Sequence, residues 1–97
     1  MSKNRPSNKA VKQQLFLQCG RVDMYDMKKY EGKKLVLHHD PPWRQTHHTI
    51  YEESYLLSED NHIELHKLEL DNHEEYNRRM EIIKENKKIL ERKRSSH

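Results

Sequence analysis

The stretch from Leu35 to His66 constrains the fold more than any other, because it places histidines at both ends of a short segment. An aliphatic run leads into the adjacent pair His38 and His39, and the stretch ends with His62 and His66, four residues apart. Two adjacent prolines exclude regular structure after the first pair, because proline lacks a backbone N–H and restricts the residue before it. A strand, a loop, a second strand and a helix would bring the histidines to one point.

The residues of this stretch predict a β-hairpin followed by a helix. Residues 35–37 favour a first strand, and β-branched and aromatic residues between 49 and 57 favour a second. Ser58 is a good N-cap, and the acidic residues that follow it suit the positive end of a helix. The predicted fold class is therefore α+β, with a hairpin–helix core in a single small domain.

Further helices are predicted on either side of this core. A partly apolar face over residues 9–18 indicates an N-terminal helix, which Gly20 can end. Asn72 and Glu75 resemble a capping pair that starts a last helix, although one unbroken helix from Ser58 onwards is the alternative. We expect three parts: a disordered N-terminus (1–8), the hairpin–helix domain (9–75) and a long basic C-terminal helix and tail (76–97).

Composition limits the size of the core and indicates the compartment. Of the 97 residues, 32% are apolar and 36% charged, so the core is thin and a metal, a partner or an oligomer would help to stabilise it. Cys19 is the only cysteine, and a free thiol fits a reducing compartment. No apolar run is long enough to cross a membrane. We expect a soluble, cytoplasmic protein without a membrane partner.

The positive charge is concentrated near the C-terminus. From Tyr76 onward the chain has eight Lys or Arg residues and three acidic residues. Clustered positive charge suits the phosphate backbone of a nucleic acid. Charge alone explains a solvated helix face equally well, so both interpretations stay open.

Four histidines have the spacing of a metal site. His62 and His66 share one face of a helix, and neutral imidazole is a good ligand for zinc, nickel and similar ions. Side chains of adjacent strand residues point to opposite faces, so one of His38 and His39 can bind metal while the other acts as a base. Three protein ligands leave a metal position open for substrate.

Chance is the competing explanation for these patterns. With 8 histidines in 97 residues, an adjacent pair and an H-x-x-x-H spacing are each expected about once by chance. A second pair, His47 and His48, is assigned to the loop, and His73 and His97 to the solvent-exposed surface. The four histidines of the stretch from Leu35 to His66 also lie in a specific order of a strand end, a proline turn, a second strand and a capped helix. This combination is less expected by chance than the spacings alone.

The motif HHDPPW and the later motif NHIELHK, whose first histidine lies 23 residues after His39, together resemble the HNH, or ββα-metal, nuclease motif. The local match is closest to the colicin-type DNases, and the resemblance covers about residues 16–67. It implies a hydrolase that cleaves DNA phosphodiester bonds, by nicking or by double-strand cleavage, with one divalent metal ion (Mg, Mn, Ni or Zn). The roles that it implies are metal ligation by His38, His62 and His66, a general base in His39, and orientation of a histidine by Asp40.

The chain departs from the family pattern at two places. Glu53 stands where the family usually has an asparagine; it accepts hydrogen bonds as an amide carbonyl does but adds charge, and we keep it as a catalytic candidate. Many HNH proteins also carry a structural zinc held by two C-x-x-C knuckles. Only Cys19 is left of those four cysteines, so we predict no structural zinc and a small buried thiol.

The resemblance also implies DNA as the partner. The candidate phosphate contacts are Arg44, Lys67, Arg78 and Arg79. Small HNH proteins are frequent in phages and mobile elements, where some act alongside a terminase during DNA packaging, so a packaging partner is an expectation by analogy. Two alternatives remain: an inactive HNH-like regulator that binds DNA or protein, and a module in which the histidines only staple a small core. The sequence leaves the oligomeric state open.

Overall fold

The computed structural model describes residues 8–40 and 50–95, which form an α+β fold with the predicted hairpin–helix core. The elements are α1 (Asn8–Cys19), β1 (Leu35–His39), β2 (Ser54–Ser58), α2 (Glu59–Asp71) and α3 (His73–Ser95), with 3-10 turns at Gly32–Lys34 and Tyr51–Glu53. The predicted disordered segment 1–8 lies outside the described residues except for Asn8, which begins α1. Arg44, His47, His48 and His97 also lie outside them.

Strands β1 and β2 form the antiparallel hairpin that the sequence predicts. His38 pairs with Tyr55 and His39 with Ser54, so the histidine pair lies at the end of the ladder where residues 40–53 connect the two strands. Every residue of β2 is buried, because α2, α3 and α1 all contact this strand. Three helices therefore pack against the strand that pairs with His38 and His39.

The predicted helix boundaries around α2 are confirmed. The Ser58 hydroxyl accepts a hydrogen bond from the backbone N–H of Asn61, at 3.3 Å, as an N-cap does. The helix ends before Asn72, whose side-chain oxygen accepts a hydrogen bond from the backbone N–H of Glu75, at 3.2 Å. The capping pair thus starts α3, and the alternative of one unbroken helix is wrong.

Helix α3 packs on the core for most of its length. Its thin apolar stripe is buried, with Tyr76, Met80, Ile83 and Leu90 all facing the hairpin, α1 and α2. The boundary drawn between residues 75 and 76 falls inside this helix. The basic C-terminal helix is therefore part of the core as well as a charged surface. Among the described residues, no helix has the length and hydrophobicity to span a bilayer.

A buried carboxylate organises the segment between α1 and β1, which the sequence left unassigned. Gly20 ends α1 with a φ of 88°, as predicted. Asp23 is fully buried, and its two oxygens accept hydrogen bonds from the backbone N–H groups of Tyr25, Asp26 and Ser58 and from the side-chain amide of Asn61. We call these four hydrogen bonds the Asp23 clasp. The clasp joins the loop to the first turn of α2.

A buried lysine holds the start of β2. The Lys87 ammonium donates hydrogen bonds to the carbonyl oxygens of Tyr51, at 2.5 Å, and Ser54, at 3.0 Å. It also lies over the rings of Tyr51 and Tyr55, at 4.2 and 4.8 Å from their centroids. Burial lowers the pKa of Lys87. Lys87 is one of the eight basic residues from Tyr76 onward. The structure places it inside the fold, where it fixes the turn before β2.

Candidate metal centre

Three of the four predicted histidines lie together. The candidate ligand nitrogens of His38, His62 and His66 are all within 4.8 Å of one another. The Nε2 atoms of His62 and His66 are 3.0 Å apart. Two nitrogens bound to one zinc-like ion, at about 2.0–2.1 Å and with bond angles from 90° to tetrahedral, are about 2.8–3.4 Å apart. The three residues could therefore hold one metal ion.

Local rules of helix and strand geometry place each ligand. The Ser58 cap fixes where α2 begins, and the spacing of four residues puts His62 and His66 one above the other on the same face. Strand alternation sends His38 inward, where its side chain is 2% exposed, and leaves the adjacent His39 half-buried on the other face. The two residues of the pair are thus separated, as the sequence predicts.

Two residues outside the predicted set contact the ligands. Tyr76 of α3 is buried, and its hydroxyl lies 3.0 Å from Nε2 of His38. On α2, a carboxylate oxygen of Glu69 lies 3.4 Å from Nδ1 of His66. Ligating histidines usually hold their second nitrogen on such a partner, which fixes the ring orientation. The i,i+3 spacing of Glu69 from His66 would have identified it, whereas no local signal points to Tyr76.

The surroundings favour the neutral form of two of the three histidines. Burial, together with the neighbouring imidazoles, lowers the pKa of His38 to about 3. Burial and the charges of His66 and His39 lower the pKa of His62 to about 4. A metal binds the deprotonated imidazole, so these two groups need not lose a proton at neutral pH before binding. The environment of His38 and His62 therefore favours the form that binds metal.

These pKa values predict a loss of stability in mild acid. Because His38 and His62 have lower pKa values in the fold than in the unfolded chain, the unfolded chain binds more protons between pH 6.5 and 4. The free energy of unfolding of chelator-treated protein should therefore fall on acidification, by at most about 1.4 kcal/mol per pH unit for each histidine. Urea unfolding between pH 7 and 5 measures the slope. A His62→Gln variant should have a shallower slope, and equal slopes would contradict the prediction.

The two catalytic candidates, His39 and Glu53, lie at the loop end of the hairpin. Nδ1 of His39 is 3.4 Å from the hydroxyl of Ser54, which donates a hydrogen bond to the carbonyl of Ile50 at 2.6 Å. The backbone carbonyl of Glu53 accepts a hydrogen bond from the N–H of Asp40, at 3.0 Å. Ser54 was missed as a site residue, although it is adjacent to Glu53. The catalytic roles of His39 and Glu53 stay predictions.

Asp40 has a partner on α3. Its carboxylate lies 3.0 Å from the ammonium of Lys84. The pair joins the end of β1 to the long helix, one residue after the histidine pair. The predicted role of Asp40 in orienting a histidine is not tested by this ion pair and stays a prediction.

The predicted phosphate contacts have different surroundings. Lys67 is exposed on α2, directly after His66. Arg78 forms an ion pair with Glu75 at 3.1 Å. Arg79 is largely buried and lies 3.5 Å from Glu64, 3.6 Å from Glu75 and 4.9 Å from the centroid of the Tyr25 ring. Arg79 therefore has structural partners, and contact of these three residues with DNA stays a prediction. Arg44 is outside the described residues.

Cys19 is the small buried residue that the sequence predicts. It is the last residue of α1 and is 2% exposed. Its sulfur lies 3.8 Å from the hydroxyl of Tyr51, and burial raises the pKa of the thiol. His73 is exposed, as predicted.

Comparisons with protein-family models, with curated proteins and with solved structures find no match to this chain.

Proposed function

We propose that this protein is an HNH-type endonuclease that uses one metal ion to hydrolyse DNA phosphodiester bonds, by nicking or by double-strand cleavage. The observation that carries the proposal is the cluster of His38, His62 and His66 at the junction of a hairpin and a helix. His39 is the adjacent residue of β1 and is half-buried, and its charge contributes to the lowered pKa of His38 and of His62. A base beside a three-histidine site is the arrangement that the sequence resemblance implies.

The donor set favours some ions over others. Three neutral imidazoles suit nickel or zinc, whereas magnesium and manganese prefer oxygen ligands. We therefore propose a zinc- or nickel-like ion and treat magnesium as the weaker candidate. Such an ion would act as a Lewis acid on the phosphate and stabilise charge on the leaving oxygen.

The protein's own residues have separate roles in the proposed reaction. His39 takes a proton from the attacking water, and Ser54 limits the rotation of its ring. Tyr76 and Glu69 hold the rings of His38 and His66 in place. The exposed Lys67, the Arg78 side chain and Arg44 contribute positive charge for phosphates, and Asp40 and Glu53 order the loop end of the hairpin. We place the protein in the cytoplasm, where its free thiol stays reduced. A phage packaging partner such as a terminase rests on the resemblance alone.

Cleavage of supercoiled plasmid tests the proposal. Chelator-treated protein is supplied with Ni²⁺, Zn²⁺, Mn²⁺ or Mg²⁺ and compared with a His39→Ala variant and with His73→Ala as the matched histidine control. We expect metal-dependent cleavage that falls at least about 100-fold in His39→Ala, the size of effect that general-base catalysis gives. The His73→Ala protein should cut normally.

A metal-binding titration of the same proteins separates the alternatives. His39→Ala should bind metal as the unmodified protein does, because its loss removes the base and not a ligand. Folded, metal-loaded protein that cuts with none of the four ions would overturn the enzyme proposal and leave a binding or structural module. Undiminished cleavage by His39→Ala would show that another group is the base.

A further inference from the structure

A groove of about 840 Å³ lies between the end of α1, the segment after it and the last turns of α3. Four basic side chains line it, and none of the described lining residues is acidic. The whole chain is nearly balanced, with 19 basic and 16 acidic residues, so a concave surface of one sign is a local feature. Such a surface concentrates the electrostatic potential and attracts anions. The four basic residues are Arg21, Lys29, Lys93 and Arg94.

Two of the cations are held in position by contacts other than ion pairs. The guanidinium of Arg21 lies 5.3 Å from the centroid of the Phe16 ring. Nε of Arg94 donates a hydrogen bond to the carbonyl of Leu17, at 3.2 Å. In the part of the chain that the structure describes, neither Arg21 nor Lys29 forms an ion pair. A positioned guanidinium matches the geometry of a phosphate, so these side chains suit phosphate groups.

Part of the groove lining is apolar. Leu17, Val22, Met27 and Leu90 contribute to the lining. Leu17 is 72% exposed, which is a large apolar surface left in water. A ligand with anionic groups on one side and flat or apolar groups on the other would contact both the basic and the apolar lining residues. A nucleic-acid strand has this chemistry, with phosphates on its backbone and bases that stack or pack.

We propose that this groove binds a single nucleic-acid strand. The phosphates would contact Arg21, Lys29 and Arg94, and the bases would pack against the apolar lining residues. The proposal rests on the nuclease function proposed above. The groove volume lies in the range of ligand pockets and admits individual nucleotides rather than a duplex. An acidic amphipathic peptide shares the charge complementarity, but the planar guanidinium groups favour nucleic acid, as does the proposed metal centre, which Tyr76 of the same long helix contacts.

The position of the groove along α3 relates it to the metal centre. Tyr76 contacts the centre, and Leu90 lines the groove. The two residues are 14 positions apart, which corresponds to about 21 Å of helix at about 1.5 Å per residue. At about 3.4 Å per nucleotide along one strand, this length corresponds to roughly six nucleotides. A strand that occupies both regions would therefore be longer than about six nucleotides.

Fluorescence anisotropy with a labelled 12-nucleotide oligo(dT) tests the groove directly. The full chain is titrated in chelator at 50–200 mM salt, beside a 12-base-pair duplex probe. The test variant is Arg21→Ala/Lys29→Ala, and the matched control is Lys33→Ala/Lys88→Ala, which removes two exposed lysines that do not line the groove. We expect the test variant to bind oligo(dT) at least about tenfold more weakly. The slope of log affinity against log salt should fall by about 1.4, for two lost phosphate contacts.

The outcomes separate this proposal from the nuclease proposal. Equal weakening in both double variants would assign binding to net charge and overturn the groove, as would wild-type protein that does not bind oligo(dT). Competition by a poly-glutamate peptide, with no preference for oligo(dT), would assign the groove to a protein partner. Loss of oligo(dT) binding in the test variant, in protein that cuts no plasmid, would keep the groove and overturn the nuclease. Both variants should be folded, because all four substituted side chains are exposed. Thermal unfolding of the two variants checks this.

Discussion

Replacing His66 with alanine should lower the affinity for Ni²⁺ or Zn²⁺ by more than about 100-fold, which is about 2.7 kcal/mol of binding free energy. The reason is geometric: His62 and His66 approach to 3.0 Å between their Nε2 atoms, and His38 completes the set. Loss of a residue that only supports a ligand typically costs 10–100-fold in metal affinity, so loss of a ligand itself should cost more. Isothermal titration calorimetry of chelator-treated protein measures the change.

The matched control for this experiment is His73→Ala, which removes an exposed histidine outside the cluster. It should keep the wild-type affinity. The stability of the unmodified protein should rise with metal, by about 2.7 kcal/mol at a hundredfold excess over the dissociation constant, and this gain should vanish in His66→Ala. A His66→Ala protein that binds metal as tightly as the control would show that the cluster is not a metal site.

Replacing Asp23 with alanine should lower the free energy of unfolding by about 3–5 kcal/mol, a large part of the 5–15 kcal/mol typical of a domain. The fully buried carboxylate accepts four hydrogen bonds, and its loss leaves those donors without their acceptor. Each unsatisfied buried donor costs about 1–3 kcal/mol, and neighbouring losses do not add fully. Urea unfolding followed by circular dichroism measures the change.

An exposed aspartate provides the comparison. Asp71→Asn, at the end of α2, should change stability by less than about 0.5 kcal/mol. Asp23→Asn should give an intermediate loss, because the amide keeps one acceptor oxygen and turns the other position into a donor. The Asp23 clasp also holds the helix that carries His62 and His66, so Asp23→Ala should weaken metal binding. An Asp23→Ala protein as stable as Asp71→Asn would contradict the role of the clasp.

Local rules account for the part of the site that the sequence predicts. Ser58 caps α2, the spacing of His62 and His66 follows from helix periodicity, and strand alternation separates His38 from His39. Each of these rules acts within a few residues. The hairpin–helix order follows from them, whereas the meeting of His38 with His62 and His66 is a tertiary contact that the resemblance implies.

The residues that the sequence did not identify act over long separations. Asp23 contacts Ser58 across 35 residues, His38 contacts Tyr76 across 38, and Lys87 contacts Tyr51 across 36. No local pattern distinguishes a buried aspartate from an exposed one, because burial is decided by the elements that pack over it. Lys87 shows this most clearly, since a basic residue in a charged helix is usually exposed.

The alkylation rate of the single thiol reports how often the protein opens around it. Cys19 is the only cysteine, and it is buried where α1 packs against α3 and the turn before β2. Alkylating reagents attack the thiolate, so burial and a raised pKa both suppress the reaction in the closed protein. The alkylation rate therefore follows the detachment of α1. A metal ion held between β1 and α2 would slow the alkylation rate only if α1 detaches in global unfolding. Comparing the rates with and without metal therefore distinguishes local from global opening.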